Sequence, residues 1–351
     1  MQTSVVTTDS RKARAAAIRR VNRSFHARAQ ACFDREHRRR HRAEQGFWEQ
    51  VALWLLEDRR GGAGSAAAGL VVVDLACGTG FAGRVLGRRL GPGDRLLSLD
   101  LTEEAIRTVQ RKWHHEPAPD GPRLIGAAAD AAALPLADAS ADLVAMNAAL
   151  HHMAEPAEVL AEIDRVLRPG GLFALGFEPN AAHFRNPALR RLSVGLDRLA
   201  WYLDWGQNRR RLRQLGRRLG LAGPGDRACR RNGAAEDAGP IGHRDLVEED
   251  LPAELLELLD PHARGAGGPA GFDPCGLLAG LPRGYETVFI RWSDYLGDAA
   301  RRLPPLRGLA DAAMAMIWPG QGVLFSWLVR KPGAVGENGP GGPAGVGGAR
   351  A

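Results

Sequence analysis

The residues best suited to chemistry in this sequence surround a glycine-rich turn that follows an apolar run. The run Val71-Val72-Val73-Asp74 leads through Ala76 and Cys77 into Gly78-Thr79-Gly80 and then into a helical pattern. Glycines let a backbone turn tightly and approach a ligand where any Cβ atom would collide. Asp100 ends the next apolar run, 20 residues after Gly80. A carboxylate there can accept hydrogen bonds from a ribose, so these residues predict a nucleotide-type cofactor site.

Two kinds of cofactor fit this turn. Residues 78–83 match the GxGxxG pattern of dinucleotide-binding sites, which leaves an NAD(P)-dependent oxidoreductase as an alternative. Asp74 argues for the other kind, because a pyrophosphate beside a carboxylate in a partly dry site is unfavourable. S-adenosylmethionine (SAM) carries an ammonium, a sulfonium and a ribose diol. Asp74 therefore favours SAM over a dinucleotide.

The elements that position these residues alternate between strands and helices. Apolar runs at 70–75, 95–100, 123–128, 142–147 and 172–177 read as strands. Helices fit 81–90, 103–113 with Thr102 as N-cap, and a segment opened by Pro156 that ends at the turn Arg168–Gly171. Such alternation predicts right-handed crossovers and a parallel sheet covered on both faces, with ligands at the carboxyl ends of the strands.

Several segments in this order resemble the class I SAM-dependent methyltransferases. Residues 74–80 resemble their first motif, 98–100 their ribose-binding acid, 129–135 their adenine-binding turn, 142–152 their fourth-strand motif and 167–171 the turn before their fifth strand. The resemblance implies SAM as cofactor and methyl transfer as the reaction. The cofactor-binding residues that it implies are Asp74, Ala76, Cys77, Gly78, Thr79, Gly80, Asp100, Leu101, Asp130, Ala131 and Asn147.

Methyl transfer from SAM mainly requires the acceptor to be held in line and water to be excluded, but a hydroxyl or amine acceptor also needs a base. His152 and then His151, just beyond the fourth strand, are the predicted catalytic candidates, and His183 is a weaker one. Helix capping and packing are the alternative roles of these histidines. Asn147, Glu178 and Asn180 form no convincing metal set, so we expect no metal.

The regions outside the resemblance complete the predicted organisation. We predict an α/β fold: a Rossmann-like, doubly wound, seven-stranded sheet, mostly parallel with an antiparallel last strand, plus N-terminal helices and a helical cap insert. The predicted units are an N-terminal helical lid (1–62), a SAM-binding core (63–178), a cap or substrate insert (179–285), the closing strands of the core (286–332) and a disordered tail (333–351). Aromatic residues and histidines suit either a lid and an acceptor pocket or ordinary packing: Phe25, His26, Phe33, His37 and Trp48 in the first unit, and Trp201, Tyr202 and Trp205 in the insert.

The net charge of +7 is concentrated in two arginine-rich segments. Residues 1–60 hold 14 Lys and Arg against 7 Asp and Glu, and residues 209–231 hold 9 against 1. An RNA methyltransferase is therefore an alternative. No RNA-binding module is recognisable, so we expect no nucleic acid as partner. Because the insert of roughly 100 residues is predicted to lie above the site and could enclose a bound molecule, we expect a small-molecule or lipid-like acceptor. A SAM-fold protein that binds without catalysis is a third alternative.

The cellular location is predicted from three features of the sequence: whether it has a signal peptide, whether it has a membrane-spanning segment, and its cysteine pattern. No signal peptide is recognisable, and Pro319-Gly320 interrupts the uncharged stretch 312–329. The four cysteines show no metal-ligand spacing. We therefore expect a cytoplasmic protein with no membrane span; the sequence does not indicate an oligomeric state.

Overall fold

A single sheet organises the part of the chain that the structure describes. This structure is a computed structural model, and it describes residues 16–20, 22–23, 34, 41–58, 69–116, 120–203, 271–297 and 304–333. Within these residues the sheet has seven strands in the order β3-β2-β1-β4-β5-β7-β6. The strands are β1 (Val71–Leu75), β2 (Arg95–Asp100), β3 (Arg123–Ala128), β4 (Ala141–Asn147), β5 (Leu167–Pro179), β6 (Glu286–Ser293) and β7 (Leu324–Arg330).

The first five strands are parallel, and β7 runs antiparallel to both of its neighbours, β5 and β6. The predicted fold class is therefore confirmed, including the antiparallel last strand. The strand order reverses between β1 and β4, because the chain builds outward from β1 to β3 and then returns to the other side. Open α/β sheets bind ligands beside such a reversal, at the carboxyl ends of the strands.

Helices cover both faces of this sheet. They are α1 (41–58), α2 (Phe81–Gly87), α3 (Glu103–His115), α4 (Pro156–Val166), α5 (Ala181–Arg185), α6 (Pro187–Leu203), α7 (Pro274–Gly280) and α8 (Pro304–Ile317). Buried residues of α1 and α2 form one core cluster with alternate residues of β1, β4 and β5, and α4 and α7 form another with the intervening residues. None of the described helices is long and apolar enough to cross a membrane.

Local signals explain most helix boundaries. The Thr102 hydroxyl accepts a hydrogen bond from the Ala105 amide at the start of α3, as predicted for an N-cap. Pro156 occupies the first turn of α4, where its missing N–H is not needed. Helices α5 and α6 lie at the start of the predicted cap insert, and residues 204–270 of that insert lie outside the described residues.

Several element boundaries differ from the sequence prediction, and one helix was not predicted. Helix α2 ends at Gly87 instead of residue 90. Residues 167–171, predicted as a turn, extend β5, because Leu167 pairs with Ala141 and the Gly171 carbonyl accepts from the Lys331 amide. Helix α7 was not predicted, since seven residues are too few to show a helical period.

Residues 271–285 pack on the core although the sequence placed them in the insert. Phe272 exchanges backbone hydrogen bonds with the end of β5 and the residues that follow it: its amide donates to the Pro179 carbonyl, and its carbonyl accepts from the Ala181 amide. Leu277 and Tyr285 are buried in the cluster that contains α4. This end of the predicted insert is therefore anchored to the sheet.

Candidate functional site

The predicted site residues follow strands that end along the same edge of the sheet. Backbone hydrogen bonds join these ends: the Cys77 amide donates to the Leu99 carbonyl at 3.0 Å, and the Ala148 amide donates to the Gly176 carbonyl at 2.7 Å. The turn after β1 is thus tied to the end of β2, and the turn after β4 to the end of β5. Neighbouring strand ends are therefore joined in pairs on either side of the strand reversal.

The glycine turn after β1 has an unusual backbone. Ala76, Gly78 and Gly80 all have positive φ angles, of 53°, 52° and 79°. A Cβ atom on Gly80 would lie 2.9 Å from Val109 Cγ2, so packing against α3 excludes a side chain there. A Cβ atom on Gly78 would have no heavy-atom neighbour within 4 Å. Gly78 therefore presents bare backbone to open space, as a turn that cradles a ligand requires.

Asp74 lies behind this turn and is buried, with 1% of its surface exposed. Its Oδ2 atom accepts from the Gly83 amide of α2 at 3.0 Å. Burial, together with the nearby charge of Asp100, raises the pKa of Asp74 to about 8, although the hydrogen bond from the Gly83 amide acts in the opposite direction. The carboxyl group is therefore mostly protonated at neutral pH. Asp74 therefore does not carry the full negative charge expected from the sequence, and it would ionise fully at neutral pH only beside a cation.

Asp100 joins the glycine turn to the end of β2. Its Oδ2 accepts from the Gly78 amide at 2.9 Å, and its Oδ1 accepts from the Thr102 amide and hydroxyl, each at 2.9 Å. A carboxylate offers about four lone-pair sites, so the protein itself uses most of them. Two ribose hydroxyls would have to share or displace one of these donors. The next residue, Leu101, is half-buried.

Asp130, the predicted adenine-binding residue, lies in the turn after β3. Its Oδ1 accepts from the Ala132 amide at 3.0 Å, while Ala131 between them is buried. Its other oxygen forms an ion pair with Arg19 Nε at 2.9 Å. An arginine of the N-terminal segment therefore contacts the predicted cofactor residue.

Other N-terminal residues also reach this edge. Asp34 accepts from the Thr79 hydroxyl at 2.6 Å and pairs with Lys112 of α3, which also donates to the Thr79 carbonyl. Burial opposes the charge on Asp34, but the hydrogen bonds from Lys112 and Thr79 keep its pKa below the usual value. The side-chain Nδ2 atom of Asn22 donates to the His152 carbonyl at 2.8 Å. The candidate lid residues Phe25, His26, Phe33 and His37 lie outside the described residues.

Asn147, at the end of β4, is bound to helix α1. Its side-chain oxygen accepts from Trp48 Nε1 at 3.1 Å, and its side-chain nitrogen donates to Glu44 at 3.1 Å. Trp48 is buried and lies so close to β5 that a Cβ atom on Gly176 would be 2.6 Å from its ring. Trp48 is thus a packed residue that also orients Asn147.

The two candidate catalytic histidines lie in a short 3₁₀ turn, Leu150–His152, directly after β4. His151 is buried, and its Nδ1 atom lies 2.8 Å from Glu178 Oε2. The two imidazole rings lie 4.1 Å apart between centroids. The third candidate, His183, contacts the Gln321 carbonyl and the Ser193 hydroxyl through its two ring nitrogens. Burial lowers the pKa of His183, and its contacts indicate a packing role.

Glu178 is the residue whose part in this site the sequence analysis missed. It was considered only as a metal ligand, whereas its carboxyl group contacts His151 and the turn that carries it. The available signal was an acid that directly follows the apolar run 172–177, at the same edge as Asp74 and Asp100. Among the described residues, no group of three or more His, Cys, Asp or Glu side chains is arranged to hold a metal.

Comparison with known proteins identifies the central part of the chain. Residues 73–175 match the methyltransferase domain family. A 37.1 kDa protein in transposon TN4556 of Streptomyces fradiae is 36% identical over 115 residues, covering 33% of this chain and 32% of that protein. The 27-O-demethylrifamycin SV methyltransferase of Amycolatopsis mediterranei is 31% identical over 160 residues, covering 43% and 57%.

A solved SAM-dependent methyltransferase from Aquifex aeolicus is 23% identical, with a TM-score of 0.30, over 32% of this chain and 58% of that one. The chain spans between 29% and 60% of the length of the first curated relatives it matches. The matched region contains β1, β4 and the glycine turn. The part of the sheet that runs from β1 into β5 is thus similar to the methyltransferase domain family.

Proposed function

We propose that this protein is an enzyme that transfers a methyl group from SAM to a small-molecule or lipid-like acceptor. The observation that carries the proposal is the edge formed by Gly78 and Asp100, where bare backbone faces open space beside a fixed carboxylate. Curated relatives support the acceptor class by their names, which include a 27-O-demethylrifamycin SV methyltransferase, a demethylmenaquinone methyltransferase and a malonyl-[acyl-carrier protein] O-methyltransferase.

The residues at this edge fit SAM chemically. Asp100 offers a ribose an acceptor that backbone and hydroxyl donors already hold in place. Asp74 is a buried carboxyl group whose pKa of about 8 would fall beside a cation, so a positively charged ligand would be stabilised there. Asp130 and the backbone of Ala131 would bind the adenine. Arg19 would either move away from Asp130 or stay bound to its Oδ2 atom. When bound, SAM supplies a methyl group activated by a positive sulfur.

His151 is the better candidate for a general base, ahead of His152. A base must be oriented as well as basic, and Glu178 holds Nδ1 of His151 at 2.8 Å. With Nδ1 protonated, the lone pair lies on Nε2, which can take a proton from an acceptor hydroxyl or amine. His152 would then contribute mainly through its ring contact with His151.

The insert would determine which acceptor is used. Helices α5 and α6 leave β5 at the carboxyl edge, and binding residues concentrate on such connections. Trp201 lies in the last turn of α6, and Trp205 lies outside the described residues. Changing both tryptophans to alanine should raise the acceptor KM while leaving SAM affinity unchanged. Loss of SAM affinity in a folded double variant would contradict this division.

The test of the proposed function combines binding and turnover. Calorimetry should show binding of SAM and of S-adenosylhomocysteine but not of NADH. The protein is then incubated with methyl-labelled SAM and a panel of hydroxylated macrocycles, quinols and carrier-protein acyl thioesters, with structured RNA as a further arm. Label in a small molecule supports the proposal. Label only in RNA, tight NADH binding, or SAM binding without turnover on any extract of the source cells would each overturn it.

A further inference from the structure

The side chain of Glu178 makes four hydrogen bonds although none of its surface is exposed. Oε1 accepts from the Ala149 amide at 2.8 Å and from the Leu150 amide at 2.9 Å. Oε2 accepts from the His151 amide at 3.1 Å and lies 2.8 Å from His151 Nδ1. Three of the four partners are backbone N–H groups, which can only donate. The carboxyl group is thus enclosed by donors on one short turn.

An irregularity in β5 places Glu178 against this turn. In the pairing with β7, Leu175 opposes Trp327 and Glu178 opposes Phe325, so β5 carries one extra residue between them. Phe177, within this bulge, has a φ of 56°, a left-handed backbone conformation that L-residues rarely adopt. Its amide is satisfied by the Ser326 hydroxyl at 3.0 Å.

The bulge reverses the faces on which the following side chains lie. Gly176 faces Trp48 of α1, and Phe177 is buried in the cluster that contains α1 as well. Ordinary alternation would then return Glu178 to the face of Gly176. The extra residue instead places Glu178 on the opposite face, where Ala149 and Leu150 lie. A strained bulge at a strand end beside a ligand edge is a common way to re-aim a side chain.

We propose that Glu178 is a positioning residue that fixes His151 as the tautomer protonated at Nδ1, so that Nε2 takes the proton of the methyl acceptor. This inference rests on the proposed function. As the acceptor oxygen or nitrogen bonds to the methyl carbon, its proton passes to Nε2, and the electron pair of the broken carbon–sulfur bond stays on sulfur. The positive charge that forms on the imidazole then lies beside the Glu178 carboxylate, which stabilises it.

A purely structural role for Glu178 makes different predictions. A carboxyl group that only held the turn would affect stability and would leave the histidine tautomer unchanged. The substitution Glu178→Gln separates the two roles because it keeps size and shape. If the glutamine oxygen accepts from Ala149 and Leu150, its amino group faces His151 and can donate to Nδ1. The ring proton of His151 would then lie on Nε2, and Nε2 could no longer accept a proton from the acceptor.

The tautomer can be read directly from long-range ¹H–¹⁵N spectra of ¹⁵N-histidine-labelled protein, with a His151→Asn variant to assign the signal. The wild type should show protonated Nδ1 and unprotonated Nε2, and Glu178→Gln should show the reverse. Asp94→Asn is the matched control: Asp94 is also a buried carboxyl group that accepts two backbone amides, Leu70 and Gly91, but it precedes β2. That variant should leave the His151 signal unchanged.

Kinetics complete the test. Glu178→Gln should lower kcat by about 10²-fold or more, within the range of general-base contributions, with little change in SAM affinity. Asp94→Asn should keep kcat within about twofold at a similar loss of stability. A wild-type His151 protonated at Nε2 would overturn the proposal even if Glu178→Gln fails to fold. So would a reversed tautomer with unchanged kcat.

Failure of the proposed function would be visible separately. Wild-type protein that binds SAM and transfers no methyl group would overturn the reaction itself, whereas the histidine spectra read the effect of Glu178 without any acceptor. Glu178→Asp is a second variant: its shorter carboxylate should keep the Nδ1-protonated tautomer in part and retain more kcat than Glu178→Gln. Equal loss of kcat in both variants, with the tautomer intact in the aspartate variant, would contradict the positioning role.

Discussion

Replacing Asp74 with asparagine should stabilise the protein without ligand while weakening its affinity for SAM. Asp74 is buried, and its carboxyl group has a pKa of about 8 because burial disfavours the charged form. Asparagine is nearly the same size and can still accept from the Gly83 amide through its oxygen. The substitution therefore removes the free-energy cost of burying a carboxyl group that is ionised in the unfolded chain, and it changes little else.

The size of this effect follows from the two pKa values. In the unfolded chain Asp74 titrates near 3.8, and in the folded state near 8. Between these values the folded state keeps a proton that the unfolded state has lost. The free energy of unfolding therefore falls as pH rises, by up to about 1.4 kcal/mol per pH unit. At pH 7 the accumulated cost is on the order of 4 kcal/mol, and it levels off above the folded pKa.

The assay is urea denaturation of both proteins between about pH 5 and pH 9. The difference between Asp74→Asn and the wild type should increase with pH and then become constant, because contributions of all other groups cancel. An unpaired asparagine N–H would lower every value for the variant by about 1–3 kcal/mol without changing the slope. A difference that does not vary with pH would refute the buried-charge argument.

Calorimetry tests the effect of the same variant on the cofactor. Asp74→Asn should bind SAM more weakly than the wild type, and equal affinity would show that Asp74 does not attract the cation.

Three further predictions concern the same edge. Asp100→Ala should lower SAM affinity by about tenfold to several hundredfold, because the ribose contacts are lost, and it should lower the Tm, because three protein hydrogen bonds are lost. Unchanged SAM affinity in calorimetry would show that Asp100 does not bind the cofactor. Gly78→Ala should fold, but its free energy of unfolding should fall by about 1 kcal/mol, because the φ angle is positive while the surroundings are open. The variant should bind SAM at least tenfold more weakly, and wild-type affinity in calorimetry would mean that no ligand approaches this backbone. Asp34→Asn should weaken the contacts of residue 34 with Lys112 and Thr79, so SAM should dissociate several-fold faster in stopped-flow measurements. An unchanged dissociation rate would show that these contacts of the N-terminal segment do not affect cofactor binding.

Much of the fold could be predicted from the sequence because its signals are local. The apolar runs of β2 and β3 were predicted at their observed boundaries, and the Thr102 cap at its observed place. The glycine turn and Asp100 are separated by one helix and one strand, so parallel pairing of β1 with β2 brings them together. Local pattern and crossover handedness were sufficient for this half of the edge.

The N-terminal contacts could not be predicted in the same way. Arg19 and Asn22 lie in a basic segment whose composition is compatible with a solvated helix, a lid or a nucleic-acid surface. Their contacts with Asp130 and His152 join residues more than 100 positions apart. Such pairs depend on where a helix rests on the finished sheet, and no spacing in the sequence encodes that position.

The sequence by itself determined the strands, the glycine turn and the acids at their ends, since each follows from local periodicity or from the backbone freedom of glycine. Only the tertiary structure decided that Asp74 is buried and mostly protonated, and that Glu178 contacts His151. Burial changes the charge of a carboxyl group that the sequence shows as ionised. One extra residue between Leu175 and Glu178 reverses the face on which Glu178 lies, and that bulge exists only because β5 is paired with β7.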